Sequence, residues 1–318
     1  MAGKKVKVIK GNRGARPTRN TARASRLNSI NGVAAPHPLI SALKAVVLIL
    51  CCAAVILPFV AIISTSLADP EQVRSAGGYV MWPQNPTLDA YAAILRGGIV
   101  SRALLVSVFL TVVGSGLSLV VVTLLAYGLS RPGTTGHRPA LLLVLFSMLF
   151  AAGIIPNYLL IKELGLIDSI WALILPTLVS GFQVVLMRAF FLEVPKEILE
   201  AARIDGAGEL KTLLRIVIPL SKASIAVIAF FNAVGYWNAY FNAVLYINDT
   251  AKWPLQLVLR AYVVDNSSMA IDVPLMAMPS QQSLQMAILV LALVPICVLY
   301  PFLQKHFKKG VIIGAVKG

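Results

Sequence analysis

Charge is what this sequence has least of. Only 13% of its 318 residues are Asp, Glu, Lys or Arg, and acids are the scarcer sign, 13 against 28 bases. With so few carboxylates, no paired-acid arrangement suited to proton transfer stands out; Glu197 and Glu200 are close, but on a polar, solvated stretch. The three cysteines, Cys51, Cys52 and Cys297, all fall within apolar runs. Their spacing excludes a disulfide framework and fits small apolar packing residues. His37, His137 and His306 are far apart in sequence and lie beside the ends of apolar runs, so no metal site is expected. A Gly-rich loop ending in Lys-Ser/Thr is also missing, and Gly11-Asn12-Arg13-Gly14 is not one, so the chain should not bind ATP by a P-loop. No nucleophile–base–acid constellation replaces it. An enzyme is therefore not the expected class.

Apolar residues are what the chain has in excess. They make up 58% of it, and the mean hydropathy is +0.81, beyond the apolar share of a soluble domain. Six runs are long enough to cross a bilayer, which needs about 20 residues each. They lie near 43–67, 103–129, 139–160, 167–192, 219–246 and 284–304. Lipid offers the backbone no hydrogen-bond partner, so each must be helical. The expected fold class is an all-α polytopic membrane protein with six transmembrane helices. Gly153 and Pro156 interrupt the third run; Pro176 and Gly181 would let the fourth bend. Ionised residues are almost absent inside the runs, which speaks against a proton-coupled secondary carrier.

Residues 1–40 carry nine Lys or Arg and no acid. Such a segment cannot bury enough apolar area to fold alone, so a disordered cytoplasmic tail attracted to anionic head groups is expected. It lacks aromatics and no nucleic-acid fold follows, so nucleic acid is not an expected partner. Basic residues favour the inner side of a membrane. Placing the N-terminus inside puts 22 of the 28 Lys and Arg on inner segments, 1–44, 130–138, 188–222 and 305–318. Both termini are then cytoplasmic. Domain limits follow as a tail, 1–40, a six-span domain, 41–306, and a C-terminal cytoplasmic tail, 307–318.

Polar residues concentrate in the fifth run, as Asn232, Tyr236, Trp237, Asn238, Tyr240 and Asn242, with Gln183 in the fourth. Amides in hydrocarbon are costly unless paired. Asn238 and Asn242, four apart, share one helical face. Interhelical hydrogen bonding is the ordinary explanation. A polar path for a hydroxyl-rich sugar is the sharper one, and both stand at this point. The outer loops, 68–101 and 247–283, carry Trp82, Trp253 and several prolines and should be structured. Thr87 could cap a short helix over Leu88-Asp89-Ala90-Tyr91. These loops suit interfacial anchoring or a docking surface for an external protein.

Between the fourth and fifth runs lies a charged island, 193–219. Pro195 can open a helix. Ile198, Leu199, Ala202 and Ile204 supply an apolar stripe, Gly206 and Gly208 a turn, and Leu210, Leu213, Leu214 and Val217 a second stripe. Within it, Glu200-Ala201-Ala202, Gly206 and Ile216-Val217-Ile218-Pro219 resemble the EAA motif of ABC-importer permeases, with Ile218 in place of the usual Leu. Trp237-Asn238, Trp253-Pro254-Leu255 and the ending Gly314-Ala315-Val316-Lys317-Gly318 resemble the maltose-type carbohydrate permeases, in the branch serving oligosaccharides. The similarity covers roughly 41–318 and leaves out the basic tail.

The resemblance implies a type I ABC importer permease fold in the bacterial cytoplasmic membrane. It makes 193–219 the coupling helix, a cytoplasmic knob seated in an ATPase subunit. Ile198, Glu200, Ala201, Ala202, Asp205 and Gly206 would form the coupling contact, with docking energy from Ile198, Ala201 and Ala202. Gly314 and Lys317 would lie in a tail reaching toward the ATPase. The implied partners are a second permease, two ATPase subunits that bind ATP and Mg, and an external substrate-binding protein; the chain itself would hold no cofactor. The implied function is carbohydrate import by alternating access. Because EAA loops are widespread, import of another solute, such as a peptide or amino acid, is the alternative, followed by an ATP-independent carrier. The candidate path residues are Gln183, Asn232, Tyr236, Trp237, Asn238 and Asn242.

Overall fold

The computed structural model describes residues 29–30, 33–34, 38–96, 98–131, 133, 135–264 and 279–315, with side chains between 38 and 301. Most of the expected disordered tail, and Lys317 at the other end, lie outside the described residues. Two compact units divide the chain, residues 1–59 and 60–318. The first contains a two-residue antiparallel pair, β1 (Ser29–Ile30) with β2 (Val33–Ala34), and most of helix α1 (Pro38–Leu67). Side chains such as Leu43, Leu50 and Val55 on α1 are exposed, as suits a helix whose solvent is lipid.

Among its described residues the second unit has helices joined by turns and no strand. After α1 come α2 (Pro70–Ser75), α3 (Asp89–Arg96) and α4 (Ile99–Ser130). Then follow α5 (His137–Leu149), α6 (Ile154–Glu163), α7 (Trp171–Thr177) and α8 (Gly181–Leu192). The stretch after α8 contributes α9 (Lys196–Ile204) and α10 (Glu209–Leu220). The chain ends with α11 (Lys222–Trp237), α12 (Phe241–Tyr246), α13 (Leu255–Val263) and α14 (Gln281–Ala315).

Among the described residues three helices are long and apolar enough to cross a membrane, Pro38–Leu67, Ile99–Ser130 and Gln281–Pro301. Three bent pairs pass the same test only when joined: α5 with α6 at 117°, α7 with α8 at 51°, and α10 with α11 at 87°. The count is therefore three, or up to six if each pair is one span.

The breaks have local causes. Gly153, between α5 and α6, takes φ 84, a left-handed value open to glycine. Pro176 and Gly181 flank the α7–α8 bend, and Gly181 lets α8 approach α5: an added Cβ would lie 2.5 Å from Met148 Cγ. The fourth run begins at Trp171 instead of residue 167, because residues 167 and 168 form a turn ahead of it. The fifth run is not one helix. Asn238 Nδ2 donates to the Val234 carbonyl (2.9 Å), a local bond that competes with continuation, and α11 stops at Trp237. Asn238 and Asn242 thus do not share one continuous helical face. In the outer loop α3 begins at Asp89, and the Thr87 backbone N–H donates to Leu67 O (2.8 Å). At the other end α14 runs past Pro301 to Ala315, so Gly314 sits in a helix.

Among the described residues three large apolar clusters, and a small one of Ala68, Val73 and Val80, fill the second unit. The first joins α3 and the N-terminal part of α4 to Trp237, α13 and α14. A second lies between the C-terminal part of α4, α8, Leu213 and Val217 of α10, and Ile228. The third packs Leu110, α7, Tyr236 and α12 together. Trp237 Nε1 donates to Ala292 O (2.9 Å), tying α11 to α14. Two helices carry a π turn, with one residue more than an α turn: Leu110–Gly114 in α4 and Leu213–Val217 in α10.

Candidate functional site

A cavity of about 280 Å³ lies where α7, α8, α11 and α12 meet. Gln183, Asn232, Tyr236, Asn238 and Asn242 all line it, joined by Thr177 and Tyr240. Five of the six candidate path residues are therefore brought together. Trp237 is not among them; it is 2% exposed and packed in the first apolar cluster. Thr177 was missed by sequence reasoning, since a lone threonine after a proline carries no signal of its own. Here its Oγ1 donates to Tyr236 Oη (3.3 Å), which in turn donates to Ile174 O (3.3 Å). Gln256 Nε2 donates to Asn238 Oδ1 (3.2 Å), and Arg260 donates to the Tyr240 hydroxyl.

Two polar atoms in this cavity have no protein partner. Asn232 Nδ2 and Gln183 Oε1 are both buried and unbonded. Leaving such a group unpaired costs about 1–3 kcal/mol. One is a donor and the other an acceptor. A hydroxyl can accept from the first and donate to the second, so the wall is suited to a hydroxyl-bearing guest or to water. No lining side chain is ionised at neutral pH.

The loop between α8 and α11 forms the second candidate site. Pro195 takes the position before the first turn of α9, with ψ 131, so the helix opens at Lys196. It closes in a Schellman motif: Ala207 N–H donates to Ala202 O (2.9 Å) and Gly206 N–H to Arg203 O (3.0 Å). Gly206 takes φ 72, the left-handed value that motif requires. Leu199 and Ala202 turn inward, and Ala202 is only 6% exposed. Ile204, five positions past Leu199, comes round to the other side and is 86% exposed. Ile198, Glu200, Ala201, Asp205 and Gly206 are also exposed. Of the six residues expected in the coupling contact, Ala202 is the one that is buried here.

Glu209 ties this loop to α4. Tyr127 Oη donates to Glu209 Oε2 (2.5 Å), Arg203 Nη2 donates to Oε1 (3.2 Å), and Arg131 Nε lies 3.6 Å from Oε2. The bond from Tyr127, with the two guanidinium groups, holds the Glu209 carboxyl below the usual carboxylate range despite partial burial. Arg131 stacks on the Tyr127 ring at 4.4 Å. This cluster was not foreseen. Its one sequence signal was Glu209 in the first turn after Gly208.

Comparison with known proteins follows the same outline. The family model for the binding-protein-dependent transport system inner membrane component matches residues 87–313. The polygalacturonan/rhamnogalacturonan transport system permease protein YtcP of Bacillus subtilis (strain 168) is 45% identical over 266 residues, covering 83% of this chain and 93% of that protein. Protein LplC of the same strain is 44% identical over 265 residues, covering 83% and 90%. Among solved structures, a bacterial ABC transporter involved in import of the acidic polysaccharide alginate aligns with TM-score 0.77 and 30% identity, over 85% of this chain and 96% of that one. Long apolar helices, paired bent ones and this degree of likeness lead to one assignment: the chain belongs to the family of binding-protein-dependent transport system inner membrane components and has the ABC-importer permease fold.

Proposed function

We propose that this chain is one of two different permeases in an ATP-driven importer. It moves a carbohydrate, an oligosaccharide, into the cytoplasm by alternating access. Two ATPase subunits bind the ATP and Mg, an external binding protein delivers the sugar, and this chain holds no cofactor. The sugar class comes from relatives named for polygalacturonan, rhamnogalacturonan and alginate. The six apolar runs are six spans, three of them bent. Both termini and the knob face the cytoplasm, as the clustering of Lys and Arg on those segments supports.

The observation that carries the transport reading is the knob. It is a short helix locked by its own C-cap, with Ile198, Ala201 and Ile204 exposed beside Glu200 and Asp205. Exposed ion pairs contribute only about 0–1 kcal/mol, so docking on the ATPase rests mainly on the apolar residues. The knob is coupled rigidly to the spans. Its second arm bears Glu209, bonded to Tyr127 of α4. Further along α4, Gly114 lies against the ring of Tyr236, a wall residue of the polar cavity. Closure of the ATPase dimer pulls the knob, α4 moves with it, and the cavity changes the side to which it opens.

Gly206→Val tests this directly. Its Cβ meets no neighbouring atom, so the change strains only the left-handed backbone. That strain is about 1–2 kcal/mol, and uptake per ATP should fall about tenfold in the reconstituted transporter. Insertion should be normal. Unchanged uptake of labelled oligogalacturonide would refute the knob. For the cavity, Asn232→Ala should raise the sugar concentration needed to stimulate the ATPase; no change would make Asn232 a helix-packing residue.

A further inference from the structure

A second cavity, of about 390 Å³, lies where α4 and α8 end, α5 begins and α9 crosses beneath. Nothing above uses it. Arg131, Arg188, Lys196 and Arg203 line it together with His137, and Glu200 is the one lining carboxylate. Its hydrogen bonds are incomplete. Arg131 Nη2 donates to Tyr127 Oη (2.8 Å), but Arg131 Nε is buried with no hydrogen-bond partner. His137 Nδ1 is likewise buried and unbonded. Arg188 spends its Nε on Leu129 O (2.8 Å). Among the described residues neither Arg188 nor Lys196 has a carboxylate partner, while Glu209 already serves Arg131 and Arg203. Cations gathered on one wall repel, and partly buried ones are costly without a counter-charge.

Two features decide what completes the wall. The donors come from four separate elements and converge, which fits a tetrahedral oxyanion with acceptors on every side better than a planar carboxylate. Apart from Ser130 the rest of the lining is apolar, including Phe191 and Leu192 at the end of α8 and Val194 just past it. The cavity therefore sits where apolar helices stop and basic residues begin, the level of lipid head groups.

We propose that this cavity binds the phosphate of an anionic phospholipid, with inorganic phosphate as the same chemistry offered from solution. The bound phosphate bridges α8 to α9 and so braces the knob. The bracing rests on the transport reading given above; the binding does not.

Native mass spectrometry of the permease pair tests it, after release from bilayers of phosphatidylcholine with phosphatidylglycerol. The wild type should retain phosphatidylglycerol in preference. Lys196→Gln and Arg188→Gln should each weaken that preference about fivefold, the equivalent of about 1 kcal/mol per basic residue. Lys196 is exposed and holds no backbone group, so it keeps the test open if Arg188→Gln disturbs α4. If millimolar inorganic phosphate displaces the lipid, and does so less well in the variants, the occupant is the ion and the phosphate site stands. Equal retention of both lipids by all three proteins, with no effect of phosphate, overturns the proposal. So does a loss of ATPase-subunit capture in the variants with lipid retention unchanged, which would give the cavity to the ATPase. Absence of uptake by the wild-type transporter, with phosphatidylglycerol still retained, would refute the transport reading alone.

Discussion

Asp168 is the one described non-glycine residue with a positive φ, 61. Aspartate tolerates that conformation better than most side chains. What holds it there is a set of bonds to a distant loop. Its carboxylate accepts from the backbone N–H groups of Asn248 (3.1 Å) and Asp249 (2.9 Å) and from Lys252 Nζ (3.2 Å). Its own N–H donates to Tyr246 O (2.7 Å). The bond from the Asp249 N–H, with the others, keeps this carboxyl below its ordinary range. A lowered folded value means that the contribution is present above the unfolded value, near 3.8, and lost as pH falls through the folded one. Asn can hold the same backbone shape without the charge. Asp168→Asn should therefore lower the thermal midpoint at neutral pH and leave it flatter on acidification than in the wild type, as a pH series of melting curves would record. No pattern near residue 168 announced this clamp, because its partners lie 80 or more positions away. Gly206 was legible for the opposite reason: a C-cap glycine is a local requirement, written within a few residues.

At the scale of elements, hydropathy located the long helices well, since burial in lipid sets both their length and their composition. It could not place the breaks. Asn238 ends α11 through one side-chain bond to Val234 O, and the π turns arise from packing that a run of apolar letters does not encode. The polar cavity was mostly visible as amides crowded into apolar sequence. Thr177 and the Tyr127–Glu209–Arg131 cluster were not, since each needs a partner helix to acquire meaning. The π turn at Leu110–Gly114 exposes a bare backbone to Tyr236: a Cβ on Gly114 would lie 2.7 Å from the ring. Gly114→Ala should destabilise the purified protein by about 1–3 kcal/mol through overpacking. Tyr236→Phe, which loses the hydroxyl's bonds to Ile174 O and from Thr177 Oγ1, should cost about 1 kcal/mol. Thermal unfolding in detergent ranks the two, and a Gly114→Ala protein as stable as wild type would mean that the ring moves aside freely.

At the scale of the whole molecule, the uneven spread of Lys and Arg is what supports the proposed orientation. In a background lacking Cys51, Cys52 and Cys297, Ala201→Cys should react with a membrane-impermeant thiol reagent only from inverted vesicles. Labelling from the outer side would reverse the assignment of every loop. The same rod that crosses the membrane as α4 also answers to both faces. Near one end Ser107 Oγ receives the Leu255 N–H (2.8 Å); near the other Tyr127 reaches Glu209. Between them the surplus residue of the π turn advances the helix by about 100° relative to regular winding. The rod is thus cut like a key with offset teeth: shortened by one residue there, it could fit the outer lock or the inner one, but no longer turn both together.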